Sequence, residues 1–238
     1  MFQFTDRVIV VTGGAGNLGS AVVKAFLNAG GRVCALDHRR GRMKEMFTSI
    51  DAMGELKLFE GVDLTDLDAM IELAEDVLEQ VGKVEVLVNT VGGFAFGDPV
   101  YEMSAKTWQK MMDLNVKSFL NASAAFVPGM MKLGCGKIIS IGSKSSLQGG
   151  ANTGAYAAAK GALLRLTESM AAELKAHDIQ VNCVLPSIID TPENRQSMPS
   201  ADFSNWVNPD EIAQVILYLS SKMSDAITGA AVPVYGSA

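Results

Sequence analysis

The chain is short of the residues on which metal and triad chemistry depend. It has two histidines, His38 and His177, which are neither near each other nor near a cysteine cluster. A zinc site or a Ser-His-Asp triad therefore has almost no raw material, and no metal is expected. The three cysteines, Cys34, Cys135 and Cys183, are odd in number, far apart and form no Cys-x-x-Cys pair. They read as reduced core thiols of a cytoplasmic protein. No apolar run reaches the length that spans a bilayer. The opening residues, Met1-Phe2-Gln3-Phe4-Thr5-Asp6, lack the basic and apolar blocks of a signal peptide. Lys and Arg number 20 against 26 Asp and Glu, for a net charge of −6, and no basic cluster stands out. Nucleic acid and anionic membrane are thus not expected partners. There is no internal repeat, low-complexity run or linker, so the expectation is one domain spanning residues 1–238.

What is present is apolar and regular. Apolar residues make up 48% of the chain, enough for a sizeable core. Short β-branched runs alternate with helix-period segments throughout. Strands are expected at residues 7–12, 32–36, 56–60, 84–89, 137–141, 180–185 and 232–235. Helices are expected at 18–29, 41–52, 66–81, 104–131, 155–176 and 210–219. Ser104 reads as the cap of the long third-from-last helix, Pro128 as a residue placed to end it early, and Pro209 as a first helical residue. Regular β-α-β alternation means α/β architecture: a single doubly wound parallel sheet, Rossmann-like, with helices on both faces. The longest irregular stretch, 187–208, is a candidate lid.

Ligands of such a sheet bind beyond the carboxyl ends of its strands, and the polar residues gather there. The first strand runs into Thr12-Gly13-Gly14-Ala15-Gly16-Asn17-Leu18-Gly19, a glycine-rich turn before a helix N-terminus, which suits a pyrophosphate. The second ends at Asp37, placed to bond a ribose 2′-hydroxyl and to repel a 2′-phosphate, which suggests NAD. Arg39 and Arg40 lie close enough to turn to a phosphate, so NADP stays open. The next strands run to Asp63, to Asn89-Thr90-Val91-Gly92, to Ser143 and to Pro186.

Tyr156-Ala-Ala-Ala-Lys160 lies in the Ala-, Leu- and Glu-rich helix, where residues four apart share a face. A cation fixed near a phenol favours the phenolate and lowers its pKa, so the pair can exchange a proton near neutral pH. By itself the same spacing also describes one half-buried ring and one solvated charge.

These residues, in this order, resemble the short-chain dehydrogenase/reductase family over essentially the whole chain. Thr12-Gly13-x-x-x-Asn17-Leu18-Gly19 is similar to its Thr-Gly-x-x-x-Gly-x-Gly cofactor turn, with Asn17 in place of the middle glycine. Asn tolerates a left-handed backbone, so the turn is expected to survive. Asn89-Thr90-Val91-Gly92 resembles its Asn-Asn-Ala-Gly motif, and Pro186-Ser187-Ile188-Ile189-Asp190-Thr191 its Pro-Gly-x-x-x-Thr motif. The resemblance implies a catalytic set of Asn115, Ser143, Tyr156 and Lys160. It implies cofactor contacts from Gly13, Asn17, Leu18, Asp37, Asp63, Leu64, Asn89, Tyr156, Lys160, Ile189 and Thr191. Tyr156 would be the general acid/base, Ser143 would hold the reacting oxygen, Lys160 would lower the Tyr156 pKa and hold ribose hydroxyls, and Asn115 would bend its helix. The substrate is then a small alcohol or ketone, and a homo-oligomer, dimer or tetramer, is implied. A second likeness covers the lid alone: residues 185–206 are similar to dihydropteridine reductases, which reduce a quinonoid ring with NADH. Ser143 would be superfluous there. A cofactor-sensing protein without turnover is the third reading. Phe94, Phe96, Leu147, Met198, Phe203 and Trp206 are expected to wall the substrate pocket.

Overall fold

The computed structural model describes residues 2–48 and 54–237. Seven parallel strands form one sheet, in the order β3-β2-β1-β4-β5-β6-β7. They are β1 (Val8–Thr12), β2 (Arg32–Asp37), β3 (Glu55–Glu60), β4 (Val86–Asn89), β5 (Gly136–Ile141), β6 (Ile179–Pro186) and β7 (Ala231–Val234). Chain order reverses between β1 and β4, so a crevice opens beyond their carboxyl ends. The central strands are buried on both faces, which is why they read as continuous apolar runs rather than alternating ones.

Alternate side chains along each strand serve two separate cores. On one face α1 (Asn17–Asn28), α2 (Arg42–Phe47) and α8 (Pro209–Ser220) pack Val22, Phe26, Ile212 and Ile216 against Ile9, Val11 and Val88. On the other, α3 (Leu67–Val81), α5 (Ser118–Leu133) and α6 (Gly154–Leu174) pack Met70, Phe119 and Leu163 against Val8, Val10 and Ile138. The remaining helices, α4 (Ala105–Met112) and α7 (Pro192–Ser197), lie at the carboxyl rim. The expected helix over 41–52 is observed as α2, and residues 49–52 lie outside the described residues.

Local chemistry sets the helix ends. The Asp66 carboxylate accepts from the N–H groups of Asp68 and Ala69, and Gly82 closes α3 with φ 78°. Ser104 caps α4 by accepting from Thr107. Asn208 and Glu211 cap α8 reciprocally, with Pro209 in its first turn.

Two expectations are corrected. Pro128 does not end its helix: α5 runs through it to Leu133 and stops at left-handed Gly134. The missing N–H is tolerated because Phe126 and Met130, both buried, hold that stretch onto the sheet. The lid is not irregular either, since it contains α7 and a 3₁₀ turn, Phe203–Asn205. Among the described residues no helix is long and apolar enough to cross a membrane, and no group of His, Cys, Asp and Glu is arranged to hold a metal.

Candidate active site

The glycine-rich turn is tied to the strand on each side of it. The Thr12 hydroxyl donates to Asn89 Oδ1 at 2.7 Å, and the Thr90 hydroxyl donates to the Thr12 carbonyl at 2.6 Å. On the other side Gly14 N donates to the Leu36 carbonyl at 3.0 Å and Ala15 N to Asp37 Oδ2 at 3.0 Å. Gly13 is left-handed, with φ 70°, and any Cβ on Gly19 would collide with the Gly13 carbonyl. These two positions need glycine for separate reasons, backbone shape and close approach. Among the described residues no acceptor lies on the N–H groups of Asn17, Leu18 and Gly19, so the start of α1 presents free donors. Asn17 is the first residue of α1 and does not have positive φ. The expected left-handed backbone is therefore not what lets Asn stand there. Its side chain instead donates to Glu193 Oε2 of α7 at 2.6 Å.

Asp37, at the end of β2, is only 1% exposed. Besides Ala15 N, it accepts from Arg39 N, Nε and Nη2 at 2.9–3.0 Å. Burial pushes its carboxyl up, but the Arg39 guanidinium and the backbone N–H groups of Arg39 and Ala15 together hold it below the usual range. Arg39 thus lies on Asp37 as a two-pronged fork. Past β3, the exposed Asp63 accepts from the Thr65 N–H and hydroxyl. Leu64 is buried, its carbonyl bound by Asn121 Nδ2 at 3.0 Å.

The four residues of the expected catalytic set come to one rim. Ser143 follows β5 in a turn held from both ends: its N–H donates to Ser146 Oγ at 3.0 Å, and its Oγ accepts from Ser145 N at 3.1 Å. The serine hydroxyl lies within reach of the Tyr156 phenol. Tyr156 and Lys160 lie one turn apart on α6. Lys160 is 5% exposed and donates to the Ile141 carbonyl at 2.7 Å. Burial lowers its pKa to about 8. Tyr156 is half-buried beneath Phe94, whose ring stands edge-on to it at 5.0 Å. Burial raises the Tyr156 pKa, and the Ser143 hydroxyl draws it down without reversing the shift. The expected acidification of the phenol by the ammonium is therefore not seen. The Lys160 charge lies 6.0 Å from the ring centroid and is directed at a carbonyl, so desolvation dominates at both groups.

Asn115 lies in a π-helical turn, Asp113–Lys117, between α4 and α5. The extra residue of that turn aims its amide at Gly93: Oδ1 accepts from Gly93 N and Nδ2 donates to the Gly93 carbonyl, both at 3.1 Å. Gly92 is the hinge of this convergence. A Cβ there would lie 2.9 Å from Asn115 Oδ1 and 3.1 Å from Lys160 Nζ. Thr90 and Gly92 were legible only as parts of a strand-end motif; their contacts to the glycine turn and to Asn115 and Lys160 depend on strand order.

The lid starts at Ser187, whose hydroxyl donates to the Tyr235 carbonyl at 2.9 Å. Thr191 caps α7 by accepting from Asn194 N, and Asn194 Nδ2 donates to the Ile189 carbonyl at 2.8 Å. A cleft of about 320 Å³ is lined by Phe94, Phe96, Asp98, Met103, Asn152 and Thr153 among others, but not by Ser143, Tyr156 or Lys160. Phe94 and Phe96, two of the residues expected to wall a substrate pocket, line this cleft. Phe203 and Trp206 pack against each other with their ring centroids 4.7 Å apart.

Residues 7–201 match the family model described as short chain dehydrogenase. The chain is 31% identical to 2-(S)-hydroxypropyl-CoM dehydrogenase 3 of Xanthobacter autotrophicus, over 98% of this chain and 97% of that one. Among solved structures it resembles a short-chain type dehydrogenase/reductase from Mycobacterium ulcerans, with a TM-score of 0.93, 23% identity and coverage of 99% and 90%. It also resembles an NAD+-bound xylitol dehydrogenase, with a TM-score of 0.90, 24% identity and coverage of 98% and 99%.

Proposed function

Because this chain belongs to the short-chain dehydrogenase family, we propose that it is an NAD-preferring oxidoreductase acting on a small secondary alcohol or ketone, with Tyr156 as general acid/base. The observation that carries this reading is the meeting of Ser143, Tyr156 and Lys160 on the rim that also bears the free amides of α1. The residues suit a nicotinamide dinucleotide. Unpaired N–H groups at the start of a twelve-residue helix favour a pyrophosphate. Asp37 offers a carboxylate to a ribose diol and an unfavourable field to a 2′-phosphate. Ile189 and Thr191 would hold the carboxamide, and Lys160 the ribose hydroxyls. The buried Asn89 Nδ2 is without a partner on the same rim. When bound, the nicotinamide supplies or accepts the hydride.

The chain's own residues then manage the proton. Tyr156 would give a proton to a carbonyl oxygen or take one from an alcohol; burial makes the phenol a weaker donor, and the Lys160 charge would have to offset that. Ser143 would turn its O–H to that oxygen as charge develops. Asn115 fixes Gly93, and with it the approach to Phe94, which shields the phenol from water. Ser143 also favours this reading over the quinonoid one, because a ring reduced without an oxyanion has no use for the hydroxyl. The similarity to an enzyme named for a short secondary alcohol fits the same substrate class.

Steady-state and single-turnover assays over a ketone panel, with NADH and NADPH in parallel, test the reading. Tyr156→Phe is expected to lower kcat about 10²- to 10⁴-fold while NADH still binds, and NADH is expected to outperform NADPH. Turnover that survives Tyr156→Phe would overturn the assignment.

A further inference from the structure

Among the described residues one side-chain hydrogen bond joins α7 to the glycine-rich turn, between Asn17 and Glu193, which are 176 residues apart and bonded at 2.6 Å. Neither is needed by its own element. Helix α7 is rooted without Glu193: Thr191 caps it, Asn194 bonds the Ile189 carbonyl, and Arg195 makes a fork on Asp190 at 2.6 and 2.7 Å while lying 4.8 Å above the Phe203 ring. A bridge between Ile189 and Val207 closes the base of the lid. The turn, for its part, is held by Thr12, Thr90 and Asp37. Position 17 also departs from the family pattern, in which a glycine would leave Glu193 with nothing to hold.

We propose that Asn17 and Glu193 form a clasp that closes α7 over a bound dinucleotide and sets how fast that cofactor leaves. The inference rests on the reading that this cleft binds a nicotinamide dinucleotide. The clasp uses a side-chain amide, so the backbone N–H groups of Asn17, Leu18 and Gly19 stay available to a pyrophosphate beneath it. The bond bridges the two walls of the crevice, one from the β1–α1 turn and one from the lid. The Glu193 carboxylate is favoured by its own backbone N–H, then by Asn17, and lastly by the charges of Arg42, first in α2, and Arg39, which would also offset the negative charge that a pyrophosphate would add. Asn17 and Glu193 are positioning residues, since neither needs to touch the reacting atoms.

Stopped-flow fluorescence with NADH, on the full chain, tests this through Asn17→Gly, Glu193→Ala, Glu193→Gln and the double variant Asn17→Gly/Glu193→Ala. One charge-assisted hydrogen bond at a solvent-facing site corresponds to release about three- to tenfold faster in Asn17→Gly and in Glu193→Ala. Glu193→Gln keeps an acceptor and is expected to recover part of that loss. The double variant should release no faster than the faster single one, because both remove one bond. In Glu193→Ala and Glu193→Gln the single-turnover hydride step should be unchanged, while steady-state kcat rises where release limits turnover. Equal release from all variants would overturn the clasp alone, since NADH binding by the unaltered protein would still stand. Faster association with unchanged release would also overturn it, by showing that the pair blocks the cleft rather than closing it. Absence of NADH binding by the unaltered protein would defeat the dinucleotide reading and the clasp together.

Discussion

Lys160 is held where water scarcely reaches it, and the protein bears a cost for that. Its pKa of about 8, against an ordinary 10.5, means that the folded chain disfavours the ammonium below pH 8 by about 3 kcal/mol. The sign follows from proton counts: between pH 8 and 10.5 the unfolded chain binds the proton more firmly, so stability rises with pH across that window. The lost bond to the Ile141 carbonyl offsets part of any gain from removing the charge. Lys160→Met is therefore expected to abolish turnover and yet to stabilise the fold by about 2 kcal/mol at pH 7. Urea melts at pH 7 and pH 10 check this. The advantage should shrink at the higher pH, and a destabilised variant at pH 7 would contradict it. Tyr156→Phe, by contrast, is expected to alter chemistry with little change in stability. Spacing offered Tyr156 and Lys160 only as a pair on one helix face, and it was the resemblance to the short-chain dehydrogenase family that named Ser143 and Asn115 beside them. The direction of the Tyr156 shift was not legible. It depends on how deeply Phe94 and the loop bury the ring, which a one-dimensional pattern does not contain.

At the scale of elements, the turn from β1 to α1 is the least forgiving piece. Gly19 rests against the backbone of Gly13 and the hydroxyl of Thr90, and a backbone carbonyl cannot swing aside as a side chain does. Gly19→Ala is expected to cost about 3 kcal/mol and to weaken NADH binding at least tenfold. Thermal melts and fluorescence titration measure the two effects. A variant with normal affinity would show that α1 can retreat from the turn. The α4–α5 junction shows what periodicity misses. Residues 104–131 read as one helix, and the chain is continuous there, but a π turn shifts the register so that Asn115 faces Gly93. Helical periodicity on either side is unchanged, so nothing in the apolar pattern marks the insertion. Pro128 failed as a stop signal for a related reason: tertiary burial outweighs one lost backbone bond.

At the scale of the whole molecule, the sheet was the most legible feature, since doubly buried parallel strands write themselves as β-branched runs between helices. Strand order, with β4 beside β1, could not be seen along the chain. Yet that order sets Thr90 against the glycine turn and Gly92 between Asn115 and Lys160. The outer surfaces of α4 and α5 leave Trp108, Leu120, Met131 and Leu133 exposed. We expect a second copy of the chain to cover these residues, as a dimer or tetramer. Light scattering checks this at micromolar concentration, and a monomeric mass would refute it.

The edge strand β7 has a role out of proportion to its four residues. Just past it, the Tyr235 carbonyl anchors Ser187 at the root of the lid, while its ring lies 5.2 Å beneath the Lys144 ammonium, next to Ser143. One residue thus braces both the segment after β6 and the turn after β5 from the border of the sheet farthest from β3. Random mutagenesis scored by turnover will return hits in this border strand, and they will mimic defects in chemistry although nothing there meets the reactants.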